Sequence, residues 1–193
     1  MYPDENRSIS STERAYVRFE NKTGKPVELI WLDFNGIYVK YKTLTDGEYY
    51  DVNTFKTHPW IALDAETKVR MHIGQSPVYF PKTTRDYYKE RYPDKEIPRD
   101  FETRRRAYIT LPVHRLKYAA LLAVGKLMKD GREVEKLGLP KELTDPLKKY
   151  VVHRNIIKHA IDPGKILVIT DTHWSEGVPD VLRYPMMINW TPD

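Results

Sequence analysis

Five side chains in the first third of the chain could together form a binding site: Trp31, Tyr41, Thr54, His58 and Trp60, all on segments that read as neighbouring strands. Flat aromatic faces suit a rigid apolar ring that loses little entropy on binding. A buried hydroxyl and a buried imidazole each cost about 1–3 kcal/mol when left unpaired, so the pair would reward a ligand oxygen placed between them. Residue types alone do not establish this. A tryptophan in a β-sandwich is usually core, and a histidine beside a proline, here Pro59, is usually a loop residue, so on base rates a structural role is preferred for all five.

No reacting constellation competes with them. Asp171-Thr172-His173 is similar to the opening of a metallophosphatase motif, but the further Asp, Asn and His clusters of such a metal site are missing. His153 and His159 are six apart, off a common helical face, and His58, His72 and His114 have no ligand spacing. Neither a phosphate-cradling glycine loop nor a nucleophile elbow is present. Neither catalysis, a metal nor a cofactor is expected.

Composition sets wider bounds. A chain of 193 residues suits a domain of about a hundred residues with a smaller companion. It contains no cysteine, which excludes disulfides, thiolate nucleophiles and sulfur-ligated zinc and makes a reducing compartment the expectation. The 32 basic and 27 acidic side chains are interspersed, so the net charge of +5 reads as a mixed solvated surface more than a nucleic-acid footprint, and Arg104-Arg105-Arg106 and Lys148-Lys149 are read as solvated. No run reaches 18 apolar residues and the first residues lack a signal-peptide pattern, so neither export nor membrane insertion is expected.

The elements that would position the five residues are short and alternating. Runs at 16–19, 27–34, 37–41, 48–55, 60–63, 69–73 and 78–80 read as strands punctuated by Gly24, Asn35-Gly36 and Asp46-Gly47, the last two as type I′ turns. Residues 82–106, charged and tyrosine-rich with Pro93 and Pro98, read as a long loop insertion before a final strand at 107–111. The period then changes. Leu116, Ala119, Ala120, Ala123, Val124, Leu127 and Met128 predict one apolar face of a helix over 115–129. Gly131 and Gly138 break that pattern, and Asp145-Pro146 reads as an N-cap and first residue of a second long helix with Leu147, Tyr150 and Val151 inward. The fold class is therefore α+β: an antiparallel β-sandwich over 1–113, a three-piece helical domain over 114–162, and a tail over 163–193 with no assigned packing.

Three strings, Trp31-Leu32-Asp33-Phe34-Asn35-Gly36, Tyr41-Lys42-Thr43-Leu44 and Asn53-Thr54-Phe55-Lys56-Thr57-His58-Pro59-Trp60, resemble the β domain of the von Hippel-Lindau tumour-suppressor family in order and spacing. The similarity runs from Arg7-Ser8 through Pro81, resumes at Ile109-Thr110-Leu111-Pro112-Val113 and continues through the first helix. It implies a pocket that reads 4-hydroxyproline in an extended peptide of a hypoxia-inducible factor α subunit. Trp31, Tyr41 and Trp60 would wall the proline ring, while Thr54 and His58 would hydrogen-bond its hydroxyl. Thr54 stands where vertebrate members carry serine, and Asn53 and Phe55 where histidine and tyrosine are usual.

The resemblance also implies partners. Leu116, Ala120 and Val124 fit the spacing of the family's elongin-binding box, with Ala120 in place of cysteine, Arg115 where a small residue usually precedes the leucine, and Gly125 in place of arginine. Leu139, Pro140, Leu143 and Leu147 resemble a cullin-selecting box. The expectation is a non-catalytic substrate receptor, cytoplasmic and nuclear, that joins elongin C, elongin B, a cullin and a RING subunit and directs ubiquitination of the hydroxylated factor. With its best apolar face given to a partner, so small a helical domain should be marginal alone. Two alternatives remain: a stand-alone module that reads hydroxyproline or an extended peptide, and a basic nucleic-acid-binding protein.

Overall fold

The computed structural model describes residues 6–98 and 100–161. The chain divides into two compact units, Asn6–Pro112 and the segment that begins at Val113. Seven strands build the first: β1 (Arg14–Asn21), β2 (Val27–Leu32), β3 (Tyr38–Leu44), β4 (Tyr49–Phe55), β5 (Trp60–Asp64), β6 (Arg70–Ile73) and β7 (Arg105–Thr110). Alternation decides which face is inside. Along β1, Ala15, Val17, Phe19 and Asn21 are buried while the residues between them face outward.

The strands form one sheet in the order β3-β2-β5-β6-β7-β1-β4. Strand β6 serves both halves, pairing Met71 with Ala62 of β5 and Ile73 with Ile109 of β7. One core collects Val17 and Phe19 of β1, Leu29 of β2, Leu44 of β3, Val52 of β4, Trp60 of β5 and Ile109 of β7, so the sheet must wrap round onto itself. Its two edge strands, β3 and β4, follow each other in sequence but share no ladder. The predicted fold class holds, with one departure from antiparallel pairing: β1 and β7 run parallel, Val17 opposite Arg105 through Asn21 opposite Ile109.

Other expectations are corrected. Type I′ turns need positive φ at both central residues, and only Gly36 (76°) and Gly47 (75°) have it. Asp33 instead ties a wider loop, its Oδ1 accepting from the backbone N–H of Asn35 and Ile37, each at 2.8 Å. Residues 78–80 make only a bridge between Tyr79 and Trp60. The stretch 82–106 is not all loop: it holds α1 (Thr84–Arg91), because Thr83 caps it by accepting from the N–H of Asp86 at 3.0 Å. Buried Thr84 then pins the return of the chain by accepting from the N–H of Thr103.

In the second unit, α2 (Leu116–Leu127), α3 (Gly131–Glu135) and α4 (Lys141–Ile161) pack around Leu121, Val134, Leu147 and Val151. The face predicted for α2 is rotated. Leu121, Leu122 and Gly125 are the buried positions, while Leu116 and Leu127 are 85% and 77% exposed. The α2 pattern breaks before Gly131 as expected, and Gly131 also opens α3, where the Asp130 carboxylate accepts from the N–H groups of Arg132 and Glu133. Asp145 is not an N-cap. Helix α4 starts at Lys141 and carries Pro146 in its second turn, where one helical hydrogen bond is forgone. Among the described residues no helix is long and apolar enough to cross a membrane. Residues 163–193, with the Asp171-Thr172-His173 string, lie outside the described residues.

The contact between α2 and α4 is specific. A Cβ on Gly125 would lie 2.5 Å from two ring carbons of Tyr150 and 3.2 Å from Cδ1 of Leu147. Buried Arg154 of α4 donates to the carbonyls of Gly125 (2.7 Å) and Met128 (2.6 Å), filling acceptors that the end of α2 leaves open. Gly125→Ala should therefore lose about 2 kcal/mol by overpacking, seen as a lower denaturation midpoint by circular dichroism.

Candidate functional site

Trp31 and Trp60 are direct cross-strand partners on β2 and β5, which places both indoles on the same face of the sheet. Tyr41 reaches that face through a bulge. Leu29 pairs with Lys42 and Ile30 with Lys40, so two adjacent residues of β2 span three of β3 and Tyr41 is the extra one. Its ring meets Trp60 edge-on at 4.8 Å and Trp31 at 6.3 Å. Thr54 comes from β4. His58 follows in the turn after β4, its backbone N–H bonded to the Phe55 carbonyl at 3.0 Å, and its ring stacks on Trp31 at 5.1 Å and 30°. The chain thus brings all five residues together.

Their burial is graded. Trp60, Thr54 and His58 are buried, Trp31 is half-buried and Tyr41 is 44% exposed. Trp60 is therefore floor as well as core, touching Phe19 at 5.2 Å on its inner side. Its indole N–H donates to Thr54 Oγ1 at 3.1 Å, which uses the threonine oxygen as an acceptor and leaves its O–H free to donate outward. Burial raises the Tyr41 phenol above its ordinary pKa, with nearby Tyr50 adding to the effect. Phe34 completes the rim, edge-on to both Trp31 (6.0 Å) and His58 (5.5 Å) and 45% exposed.

A strap formed by residues 8–11 holds these groups from behind. Ser8 Oγ donates to the Leu32 carbonyl at 2.7 Å and accepts from Trp31 Nε1 at 2.8 Å. Ser10 and Thr57 form a reciprocal pair: the Ser10 N–H donates to Thr57 Oγ1, which donates back to the Ser10 carbonyl. Ser11 Oγ lies 3.2 Å from His58 Nε2. Sequence reasoning missed Phe34, Ser8 and Ser11. Phe34 stood beside a turn signal, but nothing local distinguishes these serines from any polar leader. Among the described residues no three His, Asp or Glu side chains gather as metal ligands.

The residues expected to meet partners divide between surface and core. Leu116 and Ala120 lie on an exposed stripe of α2 with Ala119, Ala123 and Leu127. Val124 does not. It packs beside Leu121, Val134 and Leu147, because residues of an α-helix advance about 100° each and Val124 shares the face of Leu121. Of the second box, Pro140 is exposed, Leu139 and Leu143 are partly buried against the same cluster, and Leu147 is fully buried. Leu147 is a core residue of this unit and offers no surface to a partner.

Burial lowers the pKa of His58, and a hydrogen bond to the Ser10 backbone only partly opposes the shift. The unfolded chain therefore takes up the proton first. The stability that rests on a neutral His58 is fully present above its ordinary pKa of about 6.5 and is lost as the pH falls below it. His72 shifts the same way, also by burial. Comparing urea midpoints at pH 7.5 and pH 5 should show a smaller drop for His58→Gln than for the parent, the difference being the share of His58.

Residues 6–87 match the family model described as the VHL beta domain. A curated relative, Protein Vhl of Drosophila melanogaster, is 30% identical over 111 residues, which cover 58% of this chain and 60% of that protein. The chain thus matches about 60% of the length of this relative. The match to the family model covers β1 to β6 and all five pocket residues. Over residues 6–87, the β domain of this chain is similar to the VHL beta domain.

Proposed function

We propose that the chain is a substrate-recognition subunit that captures an extended peptide through a 4-hydroxyproline and presents it to a ubiquitin ligase. The observation that carries this reading is that Thr54, bonded to Trp60, and His58, stacked on Trp31, both sit on a box made by Trp31, Tyr41 and Trp60. The box suits a pyrrolidine ring. Thr54 already accepts from Trp60 and His58 already meets Ser11, so each has one hydrogen-bonding capacity left for an added oxygen, worth about 0.5–1.5 kcal/mol apiece, that an unmodified proline would not use. Among the described residues strand β4 pairs only with β1, so its other edge can receive the peptide backbone as an added strand. A prolyl-hydroxylated hypoxia-inducible factor α subunit is the ligand that the family resemblance supports, and ubiquitin transfer would belong to the assembled complex, not to this chain.

The exposed stripe of Leu116 and Ala120 supports docking on elongin C, with elongin B, a cullin and a RING subunit completing the ligase. Small residues at 119, 120 and 123 allow a partner helix to approach closely, and Leu116 can anchor in its groove. A cytoplasmic and nuclear site of action goes with this role. One observation favours the alternative of a stand-alone peptide reader: Val124 and Leu147 serve the chain's own core. The nucleic-acid reading is weakened by mutual pairing on the β1, β4 and β7 surface, where Arg18 is bonded to Asp51 and both Lys22 and Arg106 to Glu20.

In a titration with two synthetic peptides differing only in hydroxylation, the 4-hydroxyproline form should bind at least about tenfold tighter, the equivalent of 1.4 kcal/mol. His58→Ala and Thr54→Val should erase that preference and Thr54→Ser should keep it; retention in both loss variants would refute the site. Leu116→Glu should leave the melting temperature near that of the parent, because the side chain is 85% exposed, yet abolish co-purification with elongins B and C. Failure of the unmodified chain to co-purify would favour the stand-alone reader.

A further inference from the structure

Successive residues of a strand point to opposite sides of the sheet, so while Thr54 of β4 faces the aromatic box, Asn53, Asp51 and Tyr49 face away from it. Strand pairing lays the outward residues in rows. Asn53 lies opposite Tyr16, Asp51 opposite Arg18 and Arg18 opposite Arg106, and Tyr49 opposite Glu20 and Glu20 opposite Tyr108. Cations predominate there. Arg18 grips Asp51 through two N–H groups, each at 2.8 Å, and Arg104 approaches the same carboxylate at 3.6 Å. Glu20 is likewise shared, between Lys22 at 2.6 Å and Arg106 at 3.2 Å. Arg14 adds a positive charge at the start of β1 and Asp46 a negative one near Lys22, which leaves cations in excess and centres the excess on the arginines.

These arginines are fixed in place. Arg104 donates to the carbonyls of Val17 (3.2 Å) and Val52 (2.9 Å) and to Asn53 Oδ1 (2.7 Å), and Arg18 lies 4.0 Å from the centre of the Tyr49 ring. Exposed ion pairs alone would make an ordinary solvated surface. Ordered arginines beside Tyr49 and Tyr108, which are 51% and 44% exposed, have instead the composition of a protein-binding surface. We propose that this outer face of β1, β4 and β7 docks an extended acidic segment of a partner protein, independently of the pocket on the other side of the sheet. The two carboxylates already present are each shared by two cations, and a partner's carboxylates would enter the same array as further acceptors for guanidinium N–H groups. From Arg14 to Lys22 the face runs about 27 Å, the length of about eight extended residues. A single-stranded nucleic acid fits it less well, because bases need open rings to stack on, whereas Arg18 covers Tyr49 and Arg104 lies over Tyr16 at 5.9 Å.

The test uses the full chain, labelled with 15N, and a capped peptide of alternating glutamate and alanine, about eight residues long, titrated at low salt. Amide resonances of β1, β4 and β7 should shift, and a lysine-alanine peptide of the same length should leave them unmoved. Arg14 is exposed and the Arg106 side chain is 54% exposed, so the double variant Arg14→Glu, Arg106→Glu should keep the melting temperature of the parent and bind the acidic peptide at least about fivefold more weakly. Glu20→Gln releases Lys22 and Arg106 and should bind that peptide about twofold more tightly, a gain that the loss of a merely structural ion pair would not produce. Equal shifts with the glutamate and lysine peptides, or an unchanged affinity in the folded double variant, would overturn the proposal. Should the double variant unfold, Glu20→Gln decides, and no gain in affinity would overturn it. A single-stranded oligonucleotide that outbinds the acidic peptide and is released by the double substitution would assign the face to nucleic acid instead.

Discussion

A buried indole must find an acceptor for its N–H, and much of this β domain follows from how Trp60 meets that requirement. Strand β5 places Trp60 at the centre of the core, against Phe19, and pairs its backbone with Trp31 on one side and Tyr79 on the other. The acceptor is Thr54 of β4, a strand that is not a sheet neighbour of β5, so the bond crosses the interior. Satisfying the core tryptophan thereby fixes a hydroxyl at the floor of the aromatic box and dictates which of its hydrogen-bonding roles remains. Stability and recognition share one interaction. The open seam between β3 and β4 matters for the same reason: a fully closed ladder would leave neither edge strand free for an added one.

The helical unit separates its tasks differently. Gly125 and Arg154 concern internal fit, one by the absence of a Cβ against Tyr150 and the other by closing the carbonyls at the end of α2. The opposite face of α2 keeps large aliphatic side chains in water at Leu116 and Leu127, an arrangement that isolated packing does not explain. A helix with two apolar faces reads from sequence as one broad stripe. Leu121, Leu122 and Gly125 lay between the positions that the 3.6-residue period emphasised, and their inward turn is set by contacts with α3 and α4 that no local pattern records.

Legibility elsewhere followed the range of the interaction. Strands β1 to β6 were visible because alternation and glycine turns are local signals, and Gly36 and Gly47 do occupy the left-handed region foreseen for them. The five pocket residues were visible only through a family pattern, since a buried Trp60 and a satisfied Thr54 resemble ordinary core. Long-range or purely geometric features stayed hidden: the parallel pairing of β1 with β7, and the strap, whose serines matter only because of what lies opposite. Helix α1 was hidden for a different reason. Its cap, Thr83 bonding to Asp86, is a readable signal, but the mixed charge and tyrosines around it masked any periodicity. The start of α4 was misplaced because Pro146 is more often a first residue than an internal one.

The irregularity at Tyr41 has a genetic consequence. Because this residue is surplus to the β2–β3 ladder, an in-frame loss of its codon would relieve a mismatch instead of creating one, letting Ile30 and Leu29 face consecutive residues of a regular hairpin. Such an allele would fold and accumulate to ordinary levels while lacking one wall of its ligand box. Abundance would then say nothing about competence, unlike substitutions at Trp60, where the two fail together.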